Sequence, residues 1–308
     1  MPVPQWQQSE KSTPLSPLLD AYSYHRQHHC GVAKATLRLD IETADAFLSL
    51  LRSQNRTFGK TTVADIDAFV AALAKRYCRV TIARACSSLR GFFRFLRTSG
   101  RVSRDLASCV VSPRVRVAER PPRALPWAQV RRIFKCIRRT QAPGKRDFAM
   151  LLMMAMYGLG AGEILSLHLD DVDWDSEVLH VRRPKTGVTI DLPLLPAVAR
   201  ALAAYLQLER PHHAESRRIF LSTGLPHEPL TSGAIRHRIR LYARLAGIKA
   251  TTLGAHIFRH SHASRQVDAG TSLKVLSDIL GHRRPSSTSV YVRVALRRLH
   301  TVALPVPQ

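Results

Sequence analysis

Apolar residues recur at helical spacing in segment after segment of this chain, and one stretch departs from that period. Leu37, Ile41, Ala44, Leu48 and Leu51 share one helical face, as do Ile82, Cys86, Leu89, Phe93 and Leu96. Between residues 178 and 192 the pattern changes to two β-prone runs, 178–182 and 188–192, with Lys185-Thr186-Gly187 in the turn between them. The chain is therefore expected to be mainly α, with one small antiparallel β-element inside a helical domain. Thr62-Val63-Ala64-Asp65 has the form of a capping box and opens a helix through Lys75. Gly100 and Gly281 each close a helix, the first running over 80–99 and the second over 272–280. Further helices are expected over 17–29, from Trp127, from Lys145, over 196–209 and 232–246, from His256, and around Tyr291. The triplet Ile219-Phe220-Leu221 reads as a short strand or loop.

The segment 112–126, SPRVRVAERPPRALP, lacks any period and is rich in Pro and Arg, so it reads as an extended basic linker. It divides a helical domain, 14–111, from a larger one, 127–295, with loose tails at 1–13 and 296–308. The first domain carries Arg90, Arg94 and Arg97 as an outward stripe, and the helix over 232–246 carries Arg236, His237, Arg238, Arg240 and Arg244.

Charge narrows the function. Lys and Arg number 47 against 22 Asp and Glu, a formal net charge of +25. A field of that size suits a polyanion, because basic side chains displace counterions from phosphates and steer association. The five cysteines include no CxxC pair, which points to reduced thiols in the cytoplasm rather than a disulfide frame or a zinc site. His25, His28, His29 and Cys30 cluster without a second set of ligands, so an exposed face is preferred there to a metal site. The longest apolar run, 148–159, is too short to span a bilayer and reads as a buried helix.

The chemistry concentrates between His256 and Tyr291. His256 and Arg259, in His256-Ile257-Phe258-Arg259-His260, lie on one helical face, followed by Leu280-Gly281-His282 and then Tyr291. Arg offers planar bidentate donors to phosphate oxygens, His moves a proton near neutral pH, and Tyr can attack and stay attached. Together they suit the cleavage of a phosphodiester.

In order and spacing the chain resembles the tyrosine recombinases, or phage-type integrases, over nearly its whole length. The resemblance rests on the His-x-x-Arg-His box, the Leu-Gly-His turn, Tyr291 nine residues after His282, and Lys185 in a hairpin turn closed by Leu192-Pro193-Leu194. It implies an N-terminal SAM-like helical bundle that clamps DNA, followed by a mostly helical catalytic domain. It also implies roles. Tyr291 attacks the scissile phosphorus and leaves a 3′-phosphotyrosine. His256 accepts the phenolic proton, Arg259 and His282 hold nonbridging oxygens, and Lys185 protonates the leaving 5′-oxygen. The resemblance further implies no cofactor, no metal, and four protomers on two duplexes of double-stranded DNA. The segment after Tyr291, with Arg293, Arg297 and Arg298, is expected to dock on a neighbouring protomer.

One position departs from the family. Its first box reads Gly-Leu-Arg-x-x-Glu, and this chain reads Gly158-Leu159-Gly160-Ala161-Gly162-Glu163. Glu163 matches the supporting acid, but Gly160 stands where the family has a phosphate-binding arginine. Removing one oxyanion donor typically costs about 2.7–4 kcal/mol of transition-state stabilisation. Two expectations follow: a site-specific recombinase with impaired cleavage, or a DNA-binding protein of the same fold that no longer cuts. A type IB topoisomerase shares the chemistry, but the short length and separate clamping domain favour a recombinase.

Overall fold

The computed structural model describes residues 17–115, 124–184, 187–249, 253–281 and Tyr291. Lys185, His282, the tails, residues 116–123 of the linker and the segment after Tyr291 lie outside the described residues. The chain divides into two compact units, 1–117 and 118–308.

The first unit is built from α1 (Pro17–Tyr24), α2 (Lys34–Ser53), α3 (Val63–Ala74) and α4 (Arg79–Thr98), with a π-helical turn at His25–His29. The apolar faces read from the sequence meet here. Ala44, Leu48 and Leu51 of α2 and Ile82, Cys86, Leu89, Phe93 and Leu96 of α4 are all buried, around Phe47 and Phe92. A polar link locks the same interior: buried Asp40 accepts from Arg26 (Nε 2.8 Å, Nη2 2.6 Å) and from Ser88 Oγ at 2.6 Å. The Asp65 carboxylate accepts from the Thr62 backbone N–H at 2.7 Å and starts α3, as the capping pattern predicts. Among the described residues no cluster of three or more His, Cys, Asp or Glu side chains could hold a metal, the His25–Cys30 stretch included.

The second unit contains α5 (Trp127–Lys135), α6 (Gly144–Tyr157), α7 (Ala161–Ser166), β1 (Val172–Asp173), β2 (Val178–Arg182), β3 (Thr189–Pro193), α8 (Pro196–Leu208), α9 (Ser232–Leu245), α10 (His256–Asp268) and α11 (Leu273–Leu280). Its centre is α6, whose Ala149, Met150, Leu151, Met153, Met154 and Ala155 are buried almost all round. That explains the unbroken apolar run 148–159, since a helix covered on every side has no polar face. The expected hairpin forms, antiparallel, with Leu179 opposite Leu192 and Val181 opposite Ile190. A two-residue strand, β1, adds to its edge; it is too short to leave a period in the sequence. The triplet at 219–221 is held by isolated bridges, His168 to Arg218 and Leu221 to Pro229, rather than by a strand.

Candidate active site

Strand β2 continues its alternation beyond its last residue. Leu179 and Val181 face the core, and Arg183, next in that register, is also buried, at 5% exposure. Its backbone N–H still pairs with Val188 O at 2.8 Å, and Gly187 N returns to Arg183 O at 2.9 Å, closing the turn. An arginine is thus carried inward where a third apolar residue was due.

Arg183 arrives at an acid. Glu163, in the first turn of α7, uses Oε2 to accept from Gly160 N at 2.6 Å and from Arg259 Nη1 at 3.0 Å. Its Oε1 faces Arg183 Nη1 at 3.8 Å. Glu163 therefore caps its own helix and sits between two guanidiniums. Both guanidiniums also serve α11. Arg183 Nη2 donates to the carbonyls of Asp278 (3.1 Å) and Ile279 (2.6 Å), and Arg259 Nη2 donates to Leu280 O. Those carbonyls end the helix, where orphan acceptors and the dipole favour cations. Arg259 Nη1 also reaches Gly158 O at 3.0 Å.

The glycines are needed where backbone and side chain come close. Gly281 takes φ +62°, and a Cβ built there would stand 1.4 Å from Arg183 Nη1. Gly158 ends α6 at φ +68°, and its Cβ would meet His262 Cδ2 at 2.8 Å. Gly160 differs: its φ is −80°, and a Cβ would sit 3.4 Å from Glu163 Oε2 and 3.9 Å from Arg259 Nη1, ordinary contacts. Nothing steric demands glycine at 160.

Tyr291 is buried at 3% exposure with Ala263, Val267, Leu276 and Leu280. Its hydroxyl lies 2.8 Å from His260 Nδ1. Burial pushes the phenol above its usual pKa, and Arg259 pulls it part of the way back. His256 is exposed in the first turn of α10, its ring centroid 6.2 Å from that of His260. The structure thus brings Tyr291, Arg259, Glu163 and Gly160 into one neighbourhood, with His256 one turn along α10. His260 and Arg183 carry no role in the pattern read from the sequence alone. The signals were present: His260 follows Arg259 directly, and Arg183 falls in the inward register of β2.

The basic residues chosen as DNA contacts divide in two. Arg94 and Arg97 are exposed on α4 and line a cleft of the first unit with Asp105, which Arg97 Nη1 approaches at 3.3 Å. Arg90 is half-buried, its donors taken by Val110 O (3.2 and 2.9 Å) and Ser112 Oγ (2.7 Å), so it closes the fold as well as lining that cleft. In the second unit Arg236 and Arg240 are exposed on α9. Arg238 turns inward, with Nε 2.8 Å from Asp147 Oδ2.

The helical second unit thus sets a buried tyrosine against a histidine, beside an arginine paired with a carboxylate. The model of the phage integrase family matches residues 123–298, and that of the phage integrase N-terminal SAM-like domain matches residues 19–100. The chain belongs to the phage integrase family, the tyrosine recombinases. It is 33% identical to the protein y4rA of Sinorhizobium fredii over 297 residues, covering 94% of this chain and 70% of that one. It is 30% identical to the tyrosine recombinase XerD of Proteus mirabilis over 276 residues, covering 87% and 86%. Its fold is similar to that of a lambda integrase in a tetramer bound to a Holliday junction, with a TM-score of 0.65 at 18% identity, covering 89% and 76%. No described helix is long and apolar enough to cross a membrane.

Proposed function

We propose that this chain cuts and rejoins duplex DNA at specific sites through a 3′-phosphotyrosine on Tyr291. The observation that carries the reading is the hydroxyl of Tyr291 at 2.8 Å from His260 Nδ1, next to the Arg259–Glu163 pair. An unperturbed phenol titrates near about 10, so attack at neutral pH needs a base within hydrogen-bond reach. The short contact supports His260 in that role ahead of His256. The phenolic oxygen bonds to phosphorus, the bond from phosphorus to the 5′-oxygen breaks, and Lys185 gives that oxygen its proton. Arg259 binds the nonbridging oxygens, oriented by Glu163, and His282 donates to the same phosphate. His256, one turn from His260, stands ready as a further donor. The phosphotyrosine conserves the bond energy, so rejoining needs no cofactor.

The charge of +25 and the exposed Arg94, Arg97, Arg236 and Arg240 support double-stranded DNA as the substrate. The same reading makes the chain a cytoplasmic protein carried by a mobile element. The solved lambda integrase tetramer supports four protomers on two duplexes. A second reading is favoured by Gly160: a protein that grips DNA and does not cut it, because the first family arginine is missing and Arg259 is already paired with Glu163.

The test uses duplexes recovered by binding from a randomised library, then nicked so that the short fragment bearing the free 5′-hydroxyl escapes after cleavage. The first reading expects a protease-sensitive covalent adduct that Tyr291→Phe abolishes. Tight binding with no adduct supports the second reading. An adduct that survives Tyr291→Phe overturns the choice of nucleophile.

A further inference from the structure

Gly160 leaves a charge deficit that can be located. Arg259 and Glu163 lie 3.0 Å apart, so as a pair they present almost no net charge to a phosphate. A phosphodiester entering such a pocket gains little, and the extra negative charge of its transition state still less. Arg183 changes that balance. With Nη1 at 3.8 Å from Glu163 Oε1, it makes a cluster of two guanidiniums on one carboxylate, with one net positive charge in a site sheltered from solvent.

We propose that Arg183 supplies the second guanidinium for the scissile phosphate, replacing the one that Gly160 lacks. This rests on the recombinase reading above.

Three observations converge on it. Arg183 Nε is buried and has no hydrogen-bond partner, a costly arrangement unless an anion completes it. Its Nη1 stands beyond hydrogen-bond distance of Glu163, so a second donor edge is also unspent. Gly281 supplies the room, because any side chain there would collide with the guanidinium. Arg183 is held by the carbonyls of Asp278 and Ile279, at the C-terminal end of α11. Donors fixed in this way need little reorganisation when charge develops.

A double-mutant cycle on the nicked duplex tests this, reading the rate of covalent adduct formation and, separately, affinity for an uncleavable duplex of the same sequence. Arg183→Ala is expected to slow adduct formation roughly 10²–10³-fold with affinity changed less than about threefold. Gly160→Arg is expected to add less than about tenfold to the native chain but to recover most of the loss in the Arg183→Ala background. Such non-additivity marks two groups with one task. Arg183→Lys, which keeps the charge and loses the fork, should fall between. A merely structural arginine predicts no rescue by Gly160→Arg, and that result overturns the proposal even if Arg183→Ala is poorly folded. Equal rates for Arg183→Ala and the native chain also overturn it, and leave the recombinase reading standing. A native chain that binds and never forms an adduct overturns both.

Discussion

Nδ1 of His260 and the hydroxyl of Tyr291, 31 residues apart in sequence, stand 2.8 Å from each other. Where Nδ1 is unprotonated the phenol donates, so the pair is arranged for proton transfer out of a buried tyrosine whose pKa burial has raised. His260→Gln is expected to reduce adduct formation by roughly 10²–10⁴-fold at neutral pH, and to lose the acid limb of the pH–rate profile that His260 sets by protonation. His256→Gln should leave that limb in place. Rates for the two variants between pH 5 and 9 decide the matter; an unchanged limb in His260→Gln returns the base to His256.

Gly281 tests how tightly the site is packed. Gly281→Ala places a methyl at φ +62° and into the Arg183 guanidinium. The backbone alone costs on the order of 1 kcal/mol, and the overlap adds about 1–3 kcal/mol more. Urea unfolding should show a loss of at least about 2 kcal/mol. Gly100→Ala, which shares a positive φ but has nothing within 4 Å of the added carbon, should lose only the backbone part. Equal losses would mean that Arg183 moves aside freely.

Asp147 is fully buried and holds three partners. Arg146 donates from Nε (3.0 Å) and Nη2 (2.8 Å), Arg238 from Nε (2.8 Å) and Tyr242 from its hydroxyl (2.7 Å). Asp147→Ala strands two guanidiniums and should destabilise the second unit by about 3–5 kcal/mol. Thermal unfolding measures it, and a shift within error of the native midpoint would show that the cluster contributes nothing net.

His262 makes stability depend on pH. Its imidazole is buried, and desolvation lowers its pKa from 6.5 to about 4, against the Ala155 carbonyl and with help from Arg259 and Arg265. Below pH 6.5 the unfolded chain takes up a proton that the folded chain refuses. Stability from this group is therefore complete above about 6.5 and drains as pH falls towards 4, by about 1–3 kcal/mol. Urea midpoints from pH 7 to 4 should fall more steeply in the native chain than in His262→Leu. Parallel slopes would refute this.

The elements were legible because their signals are local. A 3.6-residue period needs only its own segment, so α2 and α4 could be read directly; the unbroken apolar run marked α6, and the β-prone runs marked β2 and β3. The capping carboxylate of Asp65 lies three residues from its target. The order His256, Arg259, Leu280, Gly281, Tyr291 carried the chemistry because residue types limit what a group can donate or accept. The two-residue β1 and the six-residue α7 were missed, being too short to show a period.

Other features needed the folded chain. The sequence shows an arginine missing at 160, but not that Arg183 reaches the same acid from a strand twenty residues away. Nor does it show which of two histidines meets Tyr291, or that Arg90 and Arg238 turn inward while Arg94 and Arg236 stay outside. Residue identity fixed what each group can do by itself. The packing of α10, α11 and the hairpin around α6 fixed which groups act together, because contacts between distant residues depend on how helices and strands fill space against one another.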